Sequence, residues 1–210
     1  MKRRLGRRPA SPPTATPVLV LATFNPAKGR ELAALLGTVP FEVRLLAELP
    51  GARLPEETGR TYADNALVKA RAAAELTGAL ALGDDSGLEV DALGGAPGLY
   101  TARFGGPGLD DRGRWSLLLD RLRDVPPARR TARFRCVIAL AGPARAEKVV
   151  EGVAEGLIAE APRGSCGFGY DPVFFYPPLG RTFAELSDEE KARVSHRGRA
   201  LEAARRVLIG

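Results

Sequence analysis

Four stretches of the chain concentrate polar side chains beside turns and helix starts, where a hydrophobic core has no use for them: Thr23 to Lys28, Glu57 to Lys69, Asp84 to Gly87 and Phe168 to Arg197. In the first, Asn25-Pro26 follows an apolar run and Lys28 comes within one helical turn. Free backbone N–H groups, the positive end of a helix dipole and a cation together suit a phosphate. Taken alone, the same residues describe a capped turn with a solvated lysine. Asp84 and Asp85 are adjacent, and Glu57 adds a third carboxylate from a separate loop. Magnesium takes one or two carboxylates plus substrate phosphates and water, so Glu57 with one aspartate would hold it. The remaining carboxylate capacity would orient an attacking water. Asn65 and Lys69 share a helix face four residues apart. His196 is the only histidine, and without a Ser/His/Asp order a binding role fits it better than base catalysis. Phe168 and Tyr170, in a glycine-flanked loop, read either as core aromatics or as a platform on which a base stacks. The phosphate loop G-x-x-x-x-G-K-[ST] is absent.

These residues need elements to hold them. Val18 to Thr23 reads as a strand, Asn25 as the cap of a helix and Pro26 as its first residue, where a missing N–H costs nothing. Thr61 caps the strongest helix, whose stripe of Ala63, Ala66, Leu67, Ala70 and Ala74 runs to Gly78. Ala79 to Leu82 reads as a buried strand, Asp84 to Gly87 as a turn and Leu88 to Leu93 as a further strand, which puts the acidic pair at a strand end. Thr131 to Ala141 alternates in polarity, and Lys148 to Ile158 pairs back across Gly142-Pro143. Ser187 and Glu190 form a capping box for a helix through Val194, and Gly198 to Ile209 is an amphipathic helix. The pattern predicts an α/β fold, a mixed central sheet flanked by helices on both faces, with its ligand crevice at strand ends.

Composition limits the classes. No apolar run approaches the ~18 residues of a membrane span. The net charge is +6, but five of the 31 basic residues (Lys2, Arg3, Arg4, Arg7 and Arg8) precede Val18 with no acid among them. That leaves 26 basic residues against all 25 acids, so residues 18–210 carry almost no net charge. Any attraction to nucleic acid therefore belongs to residues 1–17, a basic, proline-rich stretch expected to be a disordered tail. Cys136 and Cys166 form no C-x-x-C pair, and a reduced, cytoplasmic protein is expected.

Read together, the polar stretches resemble the XTP/dITP diphosphatase family, the inosine triphosphate pyrophosphatases. The resemblance spans nearly all of residues 18–210. Its ordered blocks are Thr23-Phe-Asn-Pro-Ala-Lys28, Glu57 to Lys69, Asp84 to Arg103, Gly167-Phe-Gly-Tyr-Asp-Pro172, Thr182 to Leu186, and Lys191 followed by Ser195-His-Arg-Gly198. It implies a single two-lobed domain with a cleft between the lobes, usually a homodimer. The implied reaction cuts ITP, dITP and XTP between the α and β phosphates with Mg2+. By position, Asp85 matches the proton acceptor and a metal ligand, and Glu57 the other metal carboxylate. Thr23, Asn25, Lys28, Lys69 and Lys191 match triphosphate contacts. Phe168, Gly169, Tyr170, Asp171, His196 and Arg197 match the base and sugar pocket. Phe24, Pro26, Ala27, Asn65 and Ser86 join the substrate-binding set, and Asp84 is a supporting carboxylate. Arg197, with donors only, would favour a purine bearing oxygen at C6 over adenine. Rejection of guanine's 2-amino group falls to no residue read from the sequence. The competing readings are a pyrophosphatase with another modified-base preference and a nucleic-acid binder acting through the basic tail.

Overall fold

A computed structural model describes residues 16–143 and 145–210. Of the tail expected over residues 1–17, residues 1–15 lie outside the described residues, and Pro17 accepts a hydrogen bond from the Glu42 amide at 2.8 Å. Seven strands form one mixed sheet in the order β2-β1-β3-β4-β5-β6-β7. They are β1 (Val18–Leu21), β2 (Glu42–Leu45), β3 (Leu80–Val90), β4 (Thr131–Gly142), β5 (Arg145–Ile158), β6 (Phe174–Tyr176) and β7 (Arg181–Thr182). β1 is parallel to both β2 and β3, and every later pairing is antiparallel. The helices are α1 (Pro26–Leu36), α2 (Tyr62–Thr77), α3 (Asp111–Arg121), α4 (Asp188–Val194) and α5 (His196–Ile209). The expected mixed sheet with helices on both faces is the observed one, and no helix among the described residues is long and apolar enough to cross a membrane.

Local chemistry sets the helix starts. The Asn25 side chain accepts from the Lys28 amide at 3.1 Å with Pro26 in the first helical position, and Thr61 and Asp64 close a reciprocal capping box. α2 ends at Gly78 in the left-handed conformation, which lets its N–H reach Ala74 O. Three apolar clusters then form. Leu32 and Leu36 of α1 meet Ala200, Leu201, Ala204 and Leu208 of α5 against Leu19, Leu21, Leu82 and Ile138 on one face. Ala66, Ala70 and Ala73 of α2 pack on Val20, Ala81, Val137 and Ala139 on the other. Beyond them, Leu118 and Leu122 of α3 join Leu88, Phe134, Phe174 and Phe183 in a third core.

One expectation fails. Asp84 to Gly87 is not a turn between two strands but the middle of β3, paired residue by residue with β4 from Ala81↔Ala141 to Val90↔Ala132, and Asp91–Leu93 is a turn of 3-10 helix, not strand. Asp, Ser and Gly favour turns when nothing else competes, but here a ten-pair ladder outweighs local preference. Gly83 and Gly87 serve contact rather than bending. A Cβ on Gly83 would lie 2.3 Å from Ala66 O, and one on Gly87 2.4 Å from the Tyr62 hydroxyl, so both glycines let α2 approach the strand. The acidic pair therefore sits in mid-strand with its two side chains on opposite faces. The alternation expected along β4 holds only to Arg135; from Cys136 to Ala141 both faces are buried, because α2 covers one and α5 the other.

Candidate active site

The two-residue period of β3 separates the aspartates. Asp84, 1% exposed, points under α1, where its Oδ2 meets Lys28 Nζ at 2.7 Å. Asp85, 7% exposed, points under α2, where Asn65 Nδ2 donates to its Oδ2 at 2.9 Å and the Ser86 amide to its Oδ1 at 3.0 Å. Asn65 is in turn oriented through its Oδ1, which accepts from the Gly59 amide at 2.8 Å. Both ends of that amide are thus engaged by protein. Lys69, one helical turn on, lies 2.6 Å from Glu57 Oε1 and 3.9 Å from Asp85 Oδ1. One ammonium is shared by two carboxylates.

The charges are tuned by burial and neighbours. Burial would push the Asp84 carboxyl up, but Lys28, Lys69 and Arg197 outweigh it and hold the group below its ordinary range. Asp85 goes the other way. Burial, reinforced by Glu57, raises it against the pull of Lys69 and Asn65, a shift in the direction that makes a carboxylate a better proton acceptor.

Beside this cluster a cavity of about 360 Å³ is lined at one end by Asn25, Lys28 and Ser86. Its other walls are Phe168, Gly169, Tyr170, Asp171, Lys191, His196 and Arg197. The capping box of Ser187 and Glu190 starts α4, which carries Lys191; the Ser195 cap starts α5, which carries His196 and Arg197. Asp171 Oδ2 accepts from Lys191 Nζ at 2.6 Å and from the Phe168 amide at 2.9 Å, fixing the loop that presents the Phe168 ring. The Lys191 ammonium and the Arg197 guanidinium lie 5.1 Å and 5.4 Å from the centre of that ring. His196 is 3% exposed and stacked on Phe134 at 4.6 Å. Burial, with Arg197, Lys191 and Lys28 nearby, drives its pKa well below 6.5, so the imidazole is neutral and unsuited to act as a charged phosphate contact.

Of the first motif, Thr23 is buried and its hydroxyl accepts from the Asn25 amide at 3.2 Å. Pro26 is exposed at the helix start, and Ala27 lines an adjoining hollow. Phe24 is 44% exposed and does not line the cavity. Four participants escaped the sequence reading. Glu31, on α1, binds Arg197 Nη1 at 2.6 Å. Asp111, Thr101 and Phe134 line the cavity from elements far off in sequence. No motif surrounds Glu31 or Asp111; the helical phase that puts Glu31 on the same side as Lys28 was the only available signal.

A cavity with an aromatic platform and cations along its walls, one of them the Lys28 that pairs with Asp84, defines a binding site for a charged, flat ligand. The Ham1 family model matches residues 19–207, and the chain belongs to that family. It is 54% identical to the dITP/XTP pyrophosphatase of Desulforamulus reducens over 90% of this chain and 94% of that one. To an enzyme of the same name from Thermus thermophilus it is 52% identical, over 88% of each. Among solved structures, the HAM1 protein of Coxiella burnetii superimposes with a TM-score of 0.83 at 43% identity, covering 91% of this chain and 98% of that one.

Proposed function

We propose that the chain hydrolyses non-standard purine nucleoside triphosphates (ITP, dITP and XTP) to the nucleoside monophosphate and pyrophosphate, as the names of its relatives indicate. The observation that carries the reading is an aromatic cavity whose wall includes Lys28, paired with Asp84, and Ser86, next in the chain to Asp85, which shares the Lys69 ammonium with Glu57. Residues 18–210 act as one domain, and its two lobes are the paired cores on either side of the sheet and the third core beyond them, with the cavity between.

The base stacks on Phe168, with Tyr170, Asp171 and His196 shaping the base and sugar pocket and Arg197 donating to the oxygen at C6. Glu31 holds Arg197 in place. The triphosphate runs toward the start of α1, where Thr23, Asn25 and the helix dipole meet it, with Lys28, Lys69 and Lys191 as counter-charges. Phe24, Pro26 and Ala27 shape that turn, and Ser86 lines its far side. Asp85 accepts the proton of the water that attacks the α phosphorus; one P–O bond forms, the bond to the bridging oxygen breaks and pyrophosphate leaves. Asn65 orients the Asp85 carboxylate, and Asp84 holds the Lys28 ammonium in position.

The donor set fits Mg2+. Glu57 and Asp85 are hard oxygen ligands, a cation already sits between them, and magnesium needs no larger protein cage when substrate phosphates complete its shell. Glu57 and Asp85 would hold it, and when bound it neutralises charge on the phosphate oxygens. Among the described residues there is no group of three or more His, Cys, Asp or Glu that could hold a metal by itself. A cytoplasmic location agrees with a role in cleansing the nucleotide pool, and a homodimer with the family resemblance; both belong to the proposal. Replacing Asp85 by Asn tests the assignment: with ITP and magnesium, kcat should fall by roughly a hundred- to ten-thousandfold while the circular dichroism spectrum is kept. Turnover near that of the unmodified protein would remove Asp85 from the chemistry.

A further inference from the structure

Arg114 lies in the first turns of α3 and lines the cavity with Thr101, Ala102, Gly169 and Tyr170. Among the described residues its one ion-pair neighbour is Asp111, whose Oδ1 stands 3.6 Å from Arg114 Nη1, beyond hydrogen-bond distance. The other Asp111 oxygen is spent elsewhere, accepting from the Gly169 amide at 2.8 Å. That bond fastens the start of α3, which carries Arg114, to the loop bearing Phe168. Tyr170, whose hydroxyl donates to Thr101 O at 3.0 Å, confirms the neighbourhood. Burial raises that hydroxyl, and Arg114 is the charge opposing the rise.

The Arg114 side chain is 18% exposed, and its Nε is buried without a hydrogen-bond partner. A guanidinium has five donors and no acceptor, and a buried donor left unpaired is costly. The Nη groups, which are not enclosed in this way, make no hydrogen bond among the described residues and are the donors left for an acceptor on a ligand.

We propose that Arg114 is a specificity-determining residue that donates to the oxygen at C2 of a xanthine base. The proposal rests on the cavity being a purine triphosphate site. At C2, hypoxanthine carries hydrogen, xanthine an oxygen and guanine an amino group. A donor there pairs with xanthine, is indifferent to hypoxanthine and meets guanine donor against donor. Arg114 thus supplies the penalty against guanine that Arg197, reading an oxygen shared by all three bases at C6, has no means to provide. A contact to N7 or to phosphate would make no such distinction, since every purine triphosphate presents both.

The test is kcat/KM for pyrophosphate release from XTP, ITP and GTP in the unmodified protein, Arg114→Met and Arg114→Lys, with thermal unfolding of each. In Arg114→Met the XTP value should fall on the order of ten- to a hundredfold, the range for one charge-assisted hydrogen bond. The ITP value should stay within about threefold and the GTP value should rise. Arg114→Lys keeps the charge but loses the planar fork, so its XTP to ITP ratio should fall between the other two. Equal losses on all three substrates, or an unchanged XTP to ITP ratio in either variant, would overturn the proposal. If Arg114→Met does not fold, the ratio in Arg114→Lys decides. No pyrophosphate release from any of the three by the unmodified protein would overturn the pyrophosphatase reading itself, and the proposal with it.

Discussion

Single residues in this site are held by partners that fix both their position and their charge. His196 is the clearest case. Buried against Phe134 with cations around it, it stays neutral when folded, and its pKa lies well below the 6.5 it regains on unfolding. The unfolded chain therefore binds a proton that the folded protein refuses, so the contribution to stability is full above 6.5 and is lost as pH falls below it. At about pH 5.5 the protein should be less stable than at about pH 7.5, by on the order of 1 kcal/mol. Urea unfolding at the two pH values should show that difference, and His196→Phe should show less of it; equal slopes would mean that the imidazole protonates in place. Arg197 makes a second case. Arg197→Met should lower the ratio of kcat/KM for ITP over ATP by roughly tenfold or more, since the reading of C6 is lost while Lys28, Lys69 and Lys191 still meet the triphosphate. An unchanged ratio would take Arg197 away from the base.

At the scale of elements, close approach matters most. α2 carries Asn65 and Lys69 onto Asp85 only because Gly83 has no side chain. Gly83→Ala would set a Cβ 2.3 Å from Ala66 O and 2.7 Å from Ala70 N, backbone atoms that move only with the helix. We expect about 1–3 kcal/mol of lost stability in urea unfolding, together with a fall in kcat as the Asn65 to Asp85 contact opens. Stability and turnover both unchanged would contradict the packing. The same segment shows why some of the architecture was legible in sequence and some was not. The starts of α1, α2 and α4 were readable from Asn25, Thr61 and Ser187, because a cap acts on amides two or three residues away. Asp84 to Gly87 carries turn-forming residues, and nothing nearby in sequence announces the long pairing with β4 that makes it strand. The site divides likewise. Asn25, Lys28, Asp85 and Phe168 stand in dense polar motifs, whereas Glu31, Asp111 and Phe134 are isolated side chains brought in by α1, α3 and β4.

At the scale of the whole molecule, the arginines along the middle of the sheet are already answered by carboxylates. On the sheet, Arg135 bonds Glu89 and Glu151, and Arg133 bonds Asp91 and Glu155. Strand arginines paired in this way offer little to a phosphate backbone, and the run of cations with no acid among them lies in the sequence before Val18. Every residue of the proposed site comes from Thr23 onward. Removing residues 1–15 should leave kcat/KM for ITP within about twofold while reducing any salt-sensitive binding to DNA, as checked by titration at two ionic strengths. A large loss of turnover would mean that those residues complete the site.

The central claim is that the cavity and the carboxylate cluster act together on one class of substrate. It is tested most directly by product and rate measurements on the unmodified protein with magnesium, using ITP, XTP, ATP and GTP. The account predicts one pyrophosphate per monophosphate, with kcat/KM for ITP and XTP on the order of a hundredfold above that for ATP and clearly above that for GTP. Release of inorganic phosphate in place of pyrophosphate, or equal kcat/KM across the four nucleotides, would contradict it.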